Sequence, residues 1–113
     1  PVLAPGTADC LIAMEKSEVL RPGFIDLLRP DGAVLLADTR VLPQGMKSAE
    51  YPSDEMIARQ LADFRVITVN VLDIALGLGD ARGRCANVVM LGALSMLAPF
   101  SALPEGLWLR ALR

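Results

Sequence analysis

The chain has 113 residues, which is enough for one domain with a sizeable buried core. Apolar residues make up 53% of the sequence and charged residues 21%, a balance that excludes an intrinsically disordered chain. The formal net charge is −2. Because the chain has no excess of basic residues to neutralise phosphates, we expect no binding to nucleic acid.

The lack of histidine and the scarcity of cysteine exclude several kinds of site. Without histidine, this chain acting alone has no Ser-His-Asp or Cys-His catalysis and no histidine-containing metal site. Cys10 and Cys85 form no CxxC motif, so the chain alone holds no zinc ribbon, thioredoxin-type redox pair or iron–sulfur cluster. We see neither a secretory signal nor an apolar run of about 20 residues, the length that spans a membrane. We therefore expect a cytoplasmic chain without membrane contact.

The first third of the chain predicts one strand and one helix. Residues 1–7 contain two prolines and a glycine and are typical of a loop, and residues 8–14 form the nearly continuous apolar run of a strand buried on both faces. The apolar spacing within residues 20–28 predicts a helix, although its proline and glycine delay the start. Residues 29–32, Arg-Pro-Asp-Gly, predict a tight turn.

The middle of the chain predicts a strand, a helix and a strand. Residues 33–38 are the second candidate for a buried strand, and residues 41–52 are irregular. Ser53 is a suitable N-cap for a helix with Met56 at its third position, and the two acidic residues between them favour the positive end of the helix dipole. Residues 66–70 are rich in β-branched side chains and predict a third strand.

Helices dominate the last third. Residues 71–76 predict a short helix that Gly77 closes, and residues 77–83 form a flexible turn. Residues 86–97 predict a helix that is apolar nearly all round, and such a helix is normally central or buried at a subunit contact. A last helix follows within residues 104–113.

Short apolar strands that alternate with helices predict an α/β fold. The expected architecture is a three-layer, Rossmann-like parallel sheet with helices on both faces. Three strands are few for such a sheet, and parallel sheets are normally covered at their edges. We therefore expect residues 1–113 to form a single, partial domain, most of one half of a larger α/β domain.

Polar residues follow the predicted strands where each strand ends. Glu15 comes after the first strand, Asp38 and Thr39 end the second, and Asn70 ends the third. Because open α/β sheets bind ligands outside the carboxyl ends of their strands, these residues are candidates for ligand or interface contact. The alternative is that they cap the helices and turns that follow. Asn87, inside the apolar helix, either bonds the backbone near the helix start or makes a polar contact at an interface.

Two other features are weaker candidates for chemistry. Residues 77–83 are glycine-rich, but their spacing fits neither the dinucleotide fingerprint nor the Walker loop, which favours a helix end and turn. Cys85 lies near Arg82 and Arg84 at a predicted helix start, and both features lower the pKa of a thiol. Without a general base nearby, we expect no catalysis by Cys85, and we expect Cys10 to be a small buried hydrophobe.

Four segments in order carry a resemblance to a known family. They are Ala-Asp-Cys-Leu-Ile-Ala-Met-Glu at residues 8–15, the proline–glycine turn and strand of residues 28–39, Tyr51-Pro52, and Ala-Asn-Val-Val-Met-Leu-Gly-Ala-Leu at residues 86–94. In motif order and spacing the chain resembles the gamma-type domain of pyruvate/2-oxoacid:ferredoxin oxidoreductases. Within that family it looks most like the small (beta) subunits of the indolepyruvate ferredoxin oxidoreductase branch. The family's glycine-rich N-terminal turn is absent, so the resemblance implies a C-terminal portion of a larger domain.

The resemblance implies a reaction and a set of cofactors for the parent complex. Family members decarboxylate a 2-oxoacid oxidatively with coenzyme A and pass the electrons to ferredoxin. Thiamine diphosphate, magnesium and iron–sulfur clusters serve this reaction and are held mainly by other domains or subunits. The implied role of this chain is assembly and lining of the active site, with no catalytic residue, metal or cofactor of its own. Its implied partners are other subunits or domains in a homo- or hetero-oligomer, with ferredoxin as an indirect partner.

Two alternatives from other classes remain open. One is a stand-alone nucleotide- or small-ligand-binding α/β module whose pocket lies at the same strand ends. The other is a structural dimerisation module. In that module, residues 86–97 and Trp108 form a subunit contact, because small residues along the helix permit close approach.

Overall fold

A three-stranded parallel sheet organises the chain. The computed structural model describes residues 3–113. Its strands are β1 (Ala8–Ala13), β2 (Leu28–Ala37) and β3 (Arg65–Val69), in the spatial order β1-β2-β3. Both strand pairs are parallel, with β2 in the centre. With helices packed around this sheet, the predicted α/β, Rossmann-like class is confirmed.

Short helices connect and cover the strands. Within residues 3–113 the α-helices are α1 (Asp54–Gln60), α2 (Val71–Gly77), α3 (Ala86–Ser95) and α4 (Glu105–Ala111). Single 3₁₀ turns occupy Lys16–Leu20, Ile25–Leu27, Ser48–Glu50 and Phe100–Ala102. Ser53 caps α1 as predicted, because its hydroxyl accepts a hydrogen bond from the Met56 N–H at 3.1 Å. No described helix is long and apolar enough to cross a membrane.

Alternate residues of β2 build two cores, one on each face of the sheet. Val34 and Leu36 point to the first face, where they pack with the α1 side and the first 3₁₀ turn. Leu35 and Ala37 point to the second face, which carries α3 and α4. Because β2 is central and covered on both faces, its side chains from residue 33 to residue 37 are all buried, as expected of a parallel strand.

Two predicted elements before residue 33 are wrong. Residues 20–28 form no α-helix; two 3₁₀ turns flank Pro22 and Gly23, because the proline lacks an N–H and Gly23 adopts a φ of +86°. The predicted turn at residues 29–32 lies inside β2 as a bulge, in which four residues of β2 stand opposite one residue of β1. The pairing passes from Ala8 opposite Leu28 to Cys10 opposite Ala33.

Gly32 closes this bulge, and we expect its replacement by alanine to cost about 1–3 kcal/mol of unfolding free energy. A Cβ atom there would stand 2.9 Å from the carbonyl oxygen of Arg29 and 3.2 Å from Leu28 Cδ2. Gly92 in α3 is the matched control, since a Cβ there would meet nothing within 4 Å. Gly92→Ala is expected to stabilise the helix by about 0.5–1 kcal/mol. Urea unfolding curves of both variants measure these changes, and equal effects of the same sign would contradict the packing described.

The outer strands and α3 leave apolar surface open. Within residues 3–113 neither β1 nor β3 has a strand neighbour on its outer edge, and Ile12 of β1 and Val66 of β3 are 37% and 40% exposed. Helix α3, expected to be central or buried at a subunit contact, is covered on one side only within residues 3–113. Met90 of α3 is buried, whereas Val88 is 45% exposed. The open surfaces are consistent with a partial domain, which stays a prediction.

Candidate functional site

Three of the polar residues selected at the strand ends, Glu15, Asp38 and Thr39, lie at the carboxyl ends of β1 and β2. Backbone hydrogen bonds continue the sheet beyond the strands, from the Lys16 N–H to the Thr39 carbonyl (2.9 Å) and from the Asp38 N–H to the Val69 carbonyl (3.1 Å). Glu15, Asp38 and Thr39 are therefore placed at one edge of the sheet, where parallel α/β folds present ligand-binding groups.

The Glu15 carboxylate accepts four hydrogen bonds at these strand ends. Its Oε2 atom accepts hydrogen bonds from the Ser17 N–H (2.9 Å) and hydroxyl (2.5 Å). Its Oε1 atom accepts from the Val41 N–H (3.2 Å) and from the Tyr51 hydroxyl. One carboxylate thus joins the start of the first 3₁₀ turn, the loop after β2 and the segment before α1. We call these four residues (Glu15, Ser17, Val41 and Tyr51) the Glu15 clamp.

The ionisation states of the Glu15 clamp follow from its hydrogen bonds. Burial acts to raise the pKa of Glu15, but the hydrogen bonds from Ser17, Tyr51 and Val41 outweigh it and hold that pKa below its usual value. Burial and the hydrogen bond to Glu15 raise the pKa of Tyr51. At neutral pH the clamp therefore pairs an ionised carboxylate with a protonated phenol, and its lone pairs are engaged in holding the fold.

A charged group lies beside the clamp. Lys16 Nζ and Arg40 Nη2 lie 3.1 Å and 3.2 Å from the same oxygen, Asp54 Oδ1. The Arg40 guanidinium also stacks over the Tyr51 ring, 5.1 Å from its centroid. The hydrogen bond from Lys16 and then that from Arg40 hold the pKa of the exposed Asp54 carboxyl below its usual value. These contacts bring together the ends of β1 and β2 and the start of α1.

The two asparagines among the candidates lie apart from the clamp. Asn70 directly follows β3 and precedes α2, and its side-chain amide donates to Asp73 Oδ2 at 2.6 Å. Asn87 is exposed in the first turn of α3, and its Oδ1 accepts from the Val88 N–H at 2.9 Å. Both side chains thus satisfy local groups at helix starts, whereas Glu15 joins distant segments.

The sequence patterns do not select four further residues at this site, namely Lys16, Arg40, Tyr51 and Asp54. Lys16 and Arg40 stand next to the polar residues selected at the strand ends, so the same topological rule would have found them. Tyr51 and Asp54 come from the connection between β2 and β3, and nothing in their local pattern places Tyr51 beside Glu15 or Asp54 beside Lys16. Only the tertiary fold supplies those contacts.

The cysteine surroundings differ from the expectation. The Cys85 N–H donates to Asp80 Oδ2 at 2.7 Å. The side-chain hydrogen bond with Asp80 raises the pKa of the Cys85 thiol, so the expected lowering by Arg82 and Arg84 is wrong. Asp80 Oδ1 also accepts from the Arg82 N–H at 3.3 Å. The Asp80 carboxylate therefore engages backbone N–H groups at and just after the end of the glycine-rich turn. Burial raises the pKa of the Cys10 thiol as well.

Comparison with known proteins identifies the family. The model of the family described as pyruvate ferredoxin/flavodoxin oxidoreductase matches residues 2–113. The chain is 32% identical over 111 residues to the indolepyruvate oxidoreductase subunit IorB of Archaeoglobus fulgidus, covering 95% of this chain and 52% of that relative. It thus spans about half the length of the curated relative, and no solved structure matches it at a significant level. The family match extends over nearly every residue and agrees with the parallel α/β fold, so the chain belongs to the pyruvate ferredoxin/flavodoxin oxidoreductase family.

Proposed function

We propose that this chain is part of a 2-oxoacid:ferredoxin oxidoreductase of the indolepyruvate or pyruvate type. The observation that carries the proposal is the family match over residues 2–113. The relative named as an indolepyruvate oxidoreductase subunit supports the indolepyruvate type. The proposed parent reaction converts a 2-oxoacid and coenzyme A to an acyl-CoA and carbon dioxide, and two electrons pass to ferredoxin. Thiamine diphosphate supplies the carbanion stabilisation for such a decarboxylation.

The role we propose for this chain is assembly and shaping of the active site, without a catalytic group of its own. The carboxylate best placed for chemistry, Glu15, is engaged by four hydrogen-bond donors. Within residues 3–113 no three His, Cys, Asp or Glu side chains lie together as a metal ion would require. In line with the family resemblance, we propose that thiamine diphosphate, magnesium and the iron–sulfur clusters are held by other subunits or domains of a cytoplasmic complex.

The open sheet edges support the assembly role. The outer edges of β1 and β3 carry no strand within residues 3–113, and Ile12 and Val66 beside them are part-exposed. Because uncovered parallel edges with apolar side chains are unfavourable in water, we propose that further parts of the parent complex cover them. In that arrangement Glu15, Asp38, Thr39 and the other strand-end residues face the substrate or coenzyme A side.

A turnover measurement tests the proposal. The isolated chain and a complex purified with it are each supplied with indolepyruvate or pyruvate, coenzyme A and an oxidised ferredoxin or viologen. We expect acyl-CoA formation and acceptor reduction by the complex and none by the isolated chain. Turnover by the isolated chain would contradict the proposed role. An undiminished turnover rate of the complex after this chain has been removed would contradict it as well.

The exposed apolar surface of α3 and α4 favours a subunit-contact role as a second candidate. A groove of about 590 Å³ lies between these helices. Its lining includes Met96, which is 79% exposed, and Leu109, which is 54% exposed. Exposed apolar patches of this kind mark interaction sites in many proteins. A strictly monomeric chain by sedimentation, both alone and with the parent's other subunits, would exclude this candidate.

A further inference from the structure

Two cations share a single carboxylate oxygen at the carboxyl ends of the strands. Lys16 Nζ is 3.1 Å and Arg40 Nη2 is 3.2 Å from Asp54 Oδ1. The three residues come from the end of β1, the loop after β2 and the start of α1. Two positive charges therefore converge on one negative charge, and the group carries a net positive charge where parallel sheets present ligand sites.

Both cationic residues have contacts besides Asp54. The Lys16 side chain is only 18% exposed, and its backbone N–H is bound to the Thr39 carbonyl. The Arg40 guanidinium lies over the Tyr51 ring, and Tyr51 is fixed in turn by Glu15. The sheet thus fixes the Lys16 backbone, and the Glu15 clamp positions the Arg40 guanidinium through Tyr51, which lowers the ordering cost of binding an anion here.

Asp54 is the residue of this group whose side chain can rotate away from the two cations. Its side chain is already 61% exposed, so rotation into water uncovers little further surface. The start of α1 does not depend on the Asp54 carboxylate, because the Ser53 hydroxyl caps the helix through the Met56 N–H. Once Asp54 has turned away, one oxygen of a ligand could accept hydrogen bonds from both Lys16 and Arg40.

We propose that Lys16 and Arg40 form a subsite for an oxyanion group of a ligand, and that Asp54 competes with this ligand for the two cations. A small cavity of about 230 Å³, lined in part by Lys16, Asp54 and Thr68, adjoins the subsite. The chemistry fits a carboxylate or a phosphate, since guanidinium and ammonium groups bind both. The existence of the subsite is inferred from these contacts alone. The identity of its ligand rests on the proposed function.

An NMR titration of the full 113-residue chain tests the subsite. Inorganic phosphate and pyruvate are added separately, with chloride adjusted to keep ionic strength constant, and the ¹H–¹⁵N signals of residues 16 and 40 are followed. We expect a saturable shift with at least one probe. Asp54→Asn should tighten binding about threefold, because it removes a competing, partly exposed ion pair. Lys16→Gln and Arg40→Gln should each abolish saturation.

The controls separate the subsite from general charge effects. Lys47→Gln removes a lysine from the exposed loop and should leave the titration unchanged, and dispersed amide spectra confirm that each variant is folded. Saturation by phosphate alone identifies a phosphate-bearing ligand, and saturation by pyruvate alone identifies a carboxylate. Saturation with neither probe in the wild type and Asp54→Asn, or saturation that survives both cation substitutions, would overturn the proposal. These outcomes are independent of turnover by the parent complex, so the subsite and the proposed function can fail separately.

Discussion

Replacing Leu35 with alanine is expected to lower the free energy of unfolding by about 2–5 kcal/mol. Leu35 lies in the middle of the central strand and is 0% exposed. It packs on the second face of the sheet with Met90 and Leu94 of α3. Truncation would remove buried apolar surface and leave a cavity that the paired strands cannot close. Because small domains are stable by only about 5–15 kcal/mol, this single change is expected to bring the fold close to its limit.

Leu78→Ala is the matched control for Leu35→Ala, because Leu78 is 72% exposed just after α2. That change should alter the unfolding free energy by no more than about 0.5 kcal/mol. Urea unfolding followed by far-ultraviolet circular dichroism gives both values. Similar losses in the two variants would show that Leu35 is not at the centre of the core.

Replacing Glu15 with glutamine is expected to cost about 1–3 kcal/mol at neutral pH. The amide keeps the size of the side chain but removes one acceptor position. Donors from Ser17, Val41 and the 8%-exposed Tyr51 then compete for the acceptor that remains. Tyr51→Phe tests the same contact from the other side and should cost less, since the carboxylate keeps its other donors. Asp63→Asn, at an exposed position, is the matched acid-to-amide control and should leave stability nearly unchanged.

The pH dependence of stability gives the Glu15 contact a second signature. Because the pKa of Glu15 is lower in the folded chain than its ordinary value of 4.5, its stabilisation is complete above that value. The stabilisation is lost as the pH falls through the folded pKa. Unfolding free energies measured between pH 7 and pH 3 should therefore fall less steeply in Glu15→Gln than in the wild type. Identical slopes in the two proteins would show that the carboxylate is not preferentially ionised in the folded state.

Sequence patterns predict the sheet well wherever local chemistry and tertiary structure agree. The apolar run that forms β1 and the β-branched run that forms β3 are recovered to within one residue. The start of α1 at Ser53 follows from capping chemistry alone. The prediction is wrong at residues 29–32, where Pro30 and Gly32 normally indicate a turn between elements, whereas these residues lie inside β2. Pairing with β1 holds this segment as a bulge, and an ion pair between Arg29 and Asp9 (2.9 Å) ties it across the strands.

The candidate site is predictable only in part. The topological rule that ligands lie beyond parallel strand ends selects Glu15, and the structure places a hydrogen-bonded cluster around it. Tyr51 and Asp54 reach this cluster only after a long irregular connection folds back over the sheet. Their positions depend on packing, which no local sequence pattern encodes.

Membership of an oxidoreductase assembly is the central claim, and native mass spectrometry tests it most directly. The protein is isolated from its source under conditions that retain its partners, and the intact complexes are weighed and assayed for thiamine diphosphate and iron. We expect this chain to migrate with larger subunits that carry both. A free chain of 12.1 kDa, or its simple homodimer without those partners, would contradict the account.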